Sequence, residues 1–242
     1  MKKINVGIAG GAGYTGGELL RILMHHPEVH ISFVHSTSNA GKSVIEVHTD
    51  LVGDTDLVFT NTFSNSIDVL FLCVGHHEAK KILEEQKIAA SVSIIDLSQD
   101  FRLIANAVIA DRTFVYGLPE LNREKVTTAK NIANPGCFAT AIQLALLPLA
   151  KSGLLQDIYT TGITGSTGAG QSLSATAHFS WRANNIQAYK TLDHQHVFEI
   201  VQSLNQLQAD APLSTSGEGP GLHFVPWRGD FTRGIYTSSV ID

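Results

Sequence analysis

Two cysteines, at positions 73 and 137, leave nothing from which to build a disulfide framework, so a reducing compartment is expected. Charge is scarce too. Charged residues make up 16% of the 242, and acidic groups outnumber basic ones 22 to 17, for a net charge of −5. That balance excludes the basic footprint of a nucleic-acid or membrane-surface binder. No apolar run reaches the roughly 18 residues of a membrane span. The start, "MKKINVGIAGG", passes straight into a strand–turn pattern without a signal-peptide stretch, and a cytoplasmic location is expected. Repeats and low-complexity tracts are absent. What remains is a compact 43% hydrophobic chain, long enough to hide roughly 70% of its unfolded surface.

The run "INVGIA" (4–9) reads as a buried parallel strand, followed by "GGAGYTGGELLRILMHH". Gly10, Gly13 and Gly16 have G-x-x-G-x-x-G spacing, and Leu19, Leu20, Ile22 and Leu23 carry a helical pattern behind them. Such glycines permit a tight turn and close backbone approach to a pyrophosphate at a helix N-terminus. A glycine trio alone is only a turn; the strand before and the helix after make it a nucleotide signal. The second strand, 30–36, ends in "HSTSNAGKS" with no acid to hold a ribose 2′-hydroxyl. Ser36, Thr37, Ser38 and Lys42 stand there instead, which favours NADP. The "GKS" at 41–43 is no phosphate loop, because Ser36 stands where that motif needs glycine.

Alternation continues with a strand in 66–75, an amphipathic helix over 77–89 and a strand in 91–98, which predicts a doubly wound parallel sheet. Cys73 reads as a buried thiol in a strand, and His76 and His77 as helix-capping residues bordering a ligand crevice. The segment 115–126 reads as a loop. Pro135 and Gly136 then force a turn before the helical "FATAIQLALLPLA", which puts Cys137 at a helix start. There a thiolate is favoured, although a small buried filler is the other reading of a free cysteine. A thiolate needs a base, and "LDHQHVFEI" offers His194, His196 and Glu199. If a helix starts near Gln195, His196 and Glu199 share a face. A metal site or a solvated helix face are the alternatives. Thiol, histidine and dinucleotide together point to reduction of an activated acyl group.

The segments "GGAGYTGGELLRIL", "SNAGKS", "IDLSQDFRL", "YGLPELNR", "NPGCFAT", "GSTGAGQ", "HQHVFEI" and "FVPWRGDFTRGIY" run in order across nearly the whole chain. In them the chain resembles the N-acetyl-γ-glutamyl-phosphate reductase family, NADP-dependent enzymes of arginine biosynthesis. The resemblance implies a Rossmann-type domain over 1–136 and an α+β catalytic and dimerisation domain over 137–242. It implies that Cys137 attacks the acyl phosphate, that NADPH reduces the thioester, and that a histidine of the H-x-H motif acts as acid/base. His196 is preferred there for its neighbour Glu199, with His194 as alternative. Gly10, Gly13, Tyr14, Thr15, Gly16, Ser36 and Ser38 would hold the cofactor. Asn134, Arg102 and Arg182 would touch substrate, surface arginine being the plainer reading of the last two. A homodimer or homotetramer is implied, with no metal.

Three departures bear on detail. Gln195 and Gln171 stand where the family commonly has arginine, which leaves room for another N-acyl group such as N-succinyl. Ser36-Thr37 replaces a Ser-Arg pair. The chain ends at Asp242 inside the strand-like "RGIYTSSVID", where family members continue. It is therefore expected to lack a C-terminal segment. The rival readings are an aspartate-type semialdehyde dehydrogenase and a non-catalytic dinucleotide-binding fragment.

Overall fold

The structure is a computed structural model that describes residues 2–242, in two compact units. The first runs to Gly117 and resumes at Glu124–Asn134. Its strands are β1 (Ile4–Ala9), β2 (Val29–His35), β3 (Phe59–Thr60), β4 (Val69–Leu72), β5 (Ser93–Asp96), β6 (Val108–Ile109), β7 (Arg112–Tyr116) and β8 (Asn131–Ala133). They form one sheet in the order β3-β2-β1-β4-β5-β8-β7-β6. Every pairing is parallel except the β6–β7 hairpin. The order reverses at β1, the switch point beside which open α/β sheets form their ligand crevice. The helices of this region are α1 (Tyr14–Met24) and α2 (Glu78–Glu85); α3 (Pro119–Thr128) has its first five residues in the second unit and the rest in the first.

Apolar strands make the core. Ile8, Leu70, Leu72 and Ile94 are fully buried, and Phe101 stacks on Phe114 with centroids 4.1 Å apart. Each such side chain contributes about 1.5–3 kcal/mol through burial. Helix α1 buries Leu20 and Leu23 beside Gly16 and Gly17. Cys73 is buried, and burial pushes its thiol up to about 12, so it is the inert structural thiol expected.

Two local expectations need correction. Residues 115–126 are not a loop: β7 ends at Tyr116 and α3 begins at Pro119. Proline's fixed φ suits the first helical position, where its missing N–H costs nothing, so Pro119 starts a helix inside the segment read as a loop. The helix kinks at Asn122, whose φ of −124° is non-helical. Nor do His76 and His77 cap α2 with their side chains. His77 occupies the cap position with φ 69° and makes no side-chain cap bond. The cap is Asp100, whose carboxylate accepts the His77 and Lys80 amides at 2.7 and 3.1 Å. Its negative charge suits the helix N-terminus.

The second unit comprises Leu118–Arg123 and Pro135–Asp242. Its sheet has the order β10-β11-β9-β12, from β9 (Ile158–Thr164), β10 (Gln187–Ala188), β11 (Leu222–Arg228) and β12 (Ile235–Ile241). Only β9 and β11 pair in parallel. Helices α4 (Cys137–Lys151), α5 (Phe179–Arg182) and α6 (His196–Asn205) complete it. Helix α4 packs on α6, burying Phe138, Ile142 and Leu146 alongside Ile200, Val201 and Leu204. This mixed sheet with segregated helices is the α+β unit expected.

Candidate active site

The glycine turn leads from β1 into α1 with Gly13 as the N-cap residue. Gly10 has φ 76°, and a Cβ there would lie 2.3 Å from the Cys73 carbonyl oxygen. A Cβ on Gly16 would meet the Gly10 oxygen at 2.6 Å. Both positions therefore exclude any other residue. The first helical bond is Gly17 N–H to the Gly13 carbonyl, 2.9 Å, so the Tyr14, Thr15 and Gly16 amides stand at the open helix end. Open amides and a positive dipole end form an anion cradle that fits a dinucleotide pyrophosphate.

At the end of β2, Ser36 is buried and its amide donates to the Thr60 carbonyl at 2.9 Å. Asn39, missed in the sequence, organises this corner. Its amide nitrogen donates to the Ser38 hydroxyl at 3.1 Å and reaches Ser36 at 3.5 Å, while its oxygen accepts from Lys42 at 3.3 Å. An asparagine within a loop carries no spacing that would have marked it.

Cys137 is the exposed first residue of α4, with Gly136 as N-cap. It is not the buried filler. The Gly136 amide donates to Glu199 Oε2 at 3.1 Å, across 63 positions of chain. Glu199 Oε1 lies 3.7 Å from His196 Nε2, so one carboxylate, itself buried, faces both the cysteine's turn and the imidazole. The solvated-face reading of this helix is thereby overturned. Gln143, fully buried on α4, donates to the Glu199 carbonyl at 3.1 Å and the Ser203 hydroxyl at 3.0 Å. These bonds tie α4 to α6.

His194 and His196 pack edge to face, 4.6 Å between centroids, with Phe138 edge-on to both. The His196 amide donates to His194 Nδ1 at 3.3 Å, which leaves the His194 proton on Nε2. Burial, assisted by the Lys190 charge, pulls the His194 pKa down to about 4. His194 is therefore neutral near pH 7. Tyr189, also unmarked by the sequence, packs on His194 and lies under the Arg228 guanidinium at 4.9 Å. Burial pushes its hydroxyl pKa up, Arg228 opposes that, and the nearby Cys137 sulfur adds to it.

The two candidate arginines are not surface residues, at 6% and 7% exposure. Arg102 donates from Nε to the Asn134 carbonyl (2.9 Å) and from Nη2 to the Leu97 carbonyl (3.0 Å). It thus grips the strand end that leads to Pro135. Asn134 is exposed, and its amide donates to the Asp96 carbonyl at 2.7 Å. Arg182 donates to the Thr176 and Arg228 carbonyls at 3.3 and 2.8 Å, and its Nη2 is buried without an acceptor. Gln195 accepts from Lys190 at 2.8 Å, so a cation stands beside the middle residue of the H-x-H motif. Among the described residues no cluster of three potential metal ligands occurs, and no helix is long and apolar enough to cross a membrane.

A nucleotide-binding sheet unit and a separate unit carrying a helix-start cysteine with a nearby histidine define a two-domain dehydrogenase of the semialdehyde class. Two family models agree: "Semialdehyde dehydrogenase, NAD binding domain" matches residues 5–129, and "Semialdehyde dehydrogenase, dimerisation domain" matches 137–242. The fold resembles aspartate semialdehyde dehydrogenase II of Vibrio cholerae, with TM-score 0.71 at 17% identity over 100% of this chain and 75% of that one. It also resembles the Candida albicans aspartate semialdehyde dehydrogenase solved with NADP, with TM-score 0.66 at 16% identity over 99% and 71%. Among curated relatives, N-acetyl-gamma-glutamyl-phosphate reductase of Christiangramia forsetii is 54% identical over 98% of this chain and 70% of its own length. That of Bacteroides thetaiotaomicron is 53% identical over 98% and 71%. The chain belongs to the N-acetyl-γ-glutamyl-phosphate reductase family.

Proposed function

We propose that this protein reduces N-acetyl-γ-glutamyl phosphate to N-acetylglutamate semialdehyde and phosphate, with NADPH, in the cytoplasm and in arginine biosynthesis. The observation that carries the reading is the exposed Cys137 at the start of α4, its turn held by Glu199 beside His196. The names of the relatives supply the substrate.

The Cys137 sulfur attacks the γ-carbonyl carbon; a C–S bond forms, the C–O bond to phosphate breaks, and phosphate leaves. The positive end of the α4 dipole favours the thiolate and the oxyanion that develops on the carbonyl. NADPH, when bound, supplies the hydride that the resulting thioester needs. Reduction leaves an oxyanion that takes a proton from protonated His196; His196 takes that proton back as the C–S bond of the hemithioacetal breaks, which releases the aldehyde and regenerates the Cys137 thiolate. His194 is unsuited to this, since a group held neutral down to about pH 4 accepts a proton poorly at pH 7. Glu199 faces the working imidazole, with Oε1 3.7 Å from His196 Nε2.

In the cofactor domain we assign to residues 1–136, the cofactor rests on Gly10, Gly13, Tyr14, Thr15 and Gly16, with Ser36 and Ser38 toward its 2′-phosphate. No acid follows β2 to repel that phosphate, which supports NADP over NAD. In the catalytic domain we assign to residues 137–242, the buried unpaired Nη2 of Arg182 is a donor for a substrate anion. Asn134 contacts substrate three residues ahead of the nucleophile, and Arg102 acts by holding its carbonyl. Self-association through residues 137–242, as a homodimer or a tetramer of such pairs, accords with the dimerisation-domain match.

The test is the reverse reaction: N-acetylglutamate semialdehyde, phosphate and NADP, followed by absorbance of the reduced nicotinamide. Turnover that needs phosphate and disappears with Cys137→Ser supports the reading; undiminished turnover by that variant overturns the mechanism.

A further inference from the structure

Behind the glycine turn sits a histidine that has no task in the reading above. His48 lies in the excursion between β2 and β3 and is 5% exposed. Its Nε2 is 2.8 Å from the carbonyl oxygen of Gly11. A carbonyl only accepts, so His48 Nε2 carries the proton and donates. The Cε1–Nδ1 edge of its ring fills the space left by Gly17. A Cβ at Gly17 would lie 2.6 Å from His48 Cε1 and 2.8 Å from Nδ1, which accounts for a glycine inside the first turns of α1. Phe59 flanks the ring at 6.4 Å between centroids.

The consequence lies in the planar trans peptide that joins Gly11 to Ala12. Its C=O and N–H point in opposite directions, so a carbonyl drawn back to His48 turns the Ala12 N–H away from it. The other amides of the turn are already engaged. Gly10 and Gly11 donate to the His35 carbonyl at 3.1 and 3.0 Å, and Gly13 donates to Gly10 at 3.2 Å. Among the described residues the Ala12 N–H has no acceptor within the chain. It joins the open amides at the start of α1 as a donor for an anion.

We propose that His48 is a positioning residue for the dinucleotide turn: by holding the Gly11 carbonyl from behind, it aims the Ala12 N–H at the bound pyrophosphate. The inference rests on the dinucleotide reading of the first unit. Gly17 belongs to the same device, since any side chain there displaces the imidazole.

Calorimetric titration of the whole chain with two probes tests this. NADPH has a pyrophosphate; adenosine 2′-phosphate shares its adenosine end but lacks one. His48→Leu removes the donor at similar volume, and is expected to weaken NADPH about tenfold while leaving adenosine 2′-phosphate within about twofold. His48→Gln, which restores an N–H donor, is expected to recover NADPH affinity to within about threefold of wild type. Gly17→Ala is expected to match His48→Leu, and it keeps the proposal testable if the leucine variant does not fold. Wild-type NADPH affinity in both His48→Leu and Gly17→Ala overturns the proposal. So does equal weakening of both probes, which marks a general loss of the unit's fold. Failure of the wild-type protein to bind NADPH would instead overturn the dinucleotide reading, and this proposal with it.

Discussion

The two units use different parts of the chain for function. In the first, the working groups are backbone amides between Gly10 and Gly16, and the residues that matter there are those with no side chain to obstruct them. In the second, the candidate groups are side chains, with Glu199 brought to the turn of Cys137 by its bond to the Gly136 amide, 63 positions away. A backbone-built site depends on local conformation and tolerates changes at a distance. A side-chain site depends on the packing of α4 on α6 and fails when either helix shifts.

The largest expected effect isolates the side-chain site. Cys137→Ser should lower turnover by about a thousandfold or more, as loss of a nucleophile does, with NADPH affinity unchanged. A parallel loss of NADPH affinity would show that the units are not functionally separable. The converse variant is Gly10→Ala. Its φ of 76° and the 2.3 Å approach of a Cβ to the Cys73 carbonyl should cost the first unit about 3 kcal/mol and abolish NADPH binding. The rate at which iodoacetamide alkylates Cys137 should stay at the wild-type value, measured on the folded fraction.

Glu199→Ala comes next, because it leaves the Gly136 amide without its acceptor in a buried position. A loss of about 2 kcal/mol in urea unfolding is expected, with slower turnover. Glu199→Gln keeps an acceptor oxygen and should recover most of the stability. Turnover should nevertheless fall, because the carboxylate that faces His196 Nε2 at 3.7 Å has become a neutral amide. Wild-type turnover in that variant would reduce Glu199 to a purely structural tie.

The smallest effect sets the units against each other through pH. Burial raises Asp96 in the first unit to about 6, against the hydrogen bonds from Ser98 that lower it. A raised folded pKa gives stability that is full below the unfolded value of 3.8 and is lost as pH rises through about 6. Burial lowers His194 in the second unit to about 4, so its contribution is full above 6.5 and is lost as pH falls through about 4. Acidification from about pH 6.5 to 4.5 should therefore tighten amide-exchange protection around β5 and loosen it around α6, each by about 2 kcal/mol at most. Asp96→Asn should flatten the first slope alone.

The same contrast explains what could be read from the sequence. Strands β1, β2, β4 and β5, helices α1, α2, α4 and α6, and the glycine turn were legible because their signals are local: apolar runs, 3.6-residue spacing and glycine at tight approaches. Cys137 was legible from its Pro-Gly turn. Helix α3 was not, because Pro119 reads as a loop residue until a helix is seen to start on it. The Gly136–Glu199 bond, the Gln143 tie, Tyr189 beneath Arg228 and His48 behind Gly11 were invisible for one reason. Each joins residues far apart in sequence through a single hydrogen bond or ring contact, and no spacing rule reaches that far. His196 and Glu199 were correctly placed on one face, but the closer partner of the carboxylate is the backbone of Gly136 at 3.1 Å rather than the imidazole at 3.7 Å.

The central claim is that Cys137 forms an acyl-enzyme with release of phosphate, and intact-mass spectrometry after mixing the protein with N-acetyl-γ-glutamyl phosphate in the absence of NADPH tests it directly. The account predicts one N-acetylglutamyl group per chain, mapped by peptide digestion to Cys137, with one equivalent of phosphate released and no adduct on Cys137→Ser. An unmodified chain, or the same adduct on the serine variant at another residue, would contradict it.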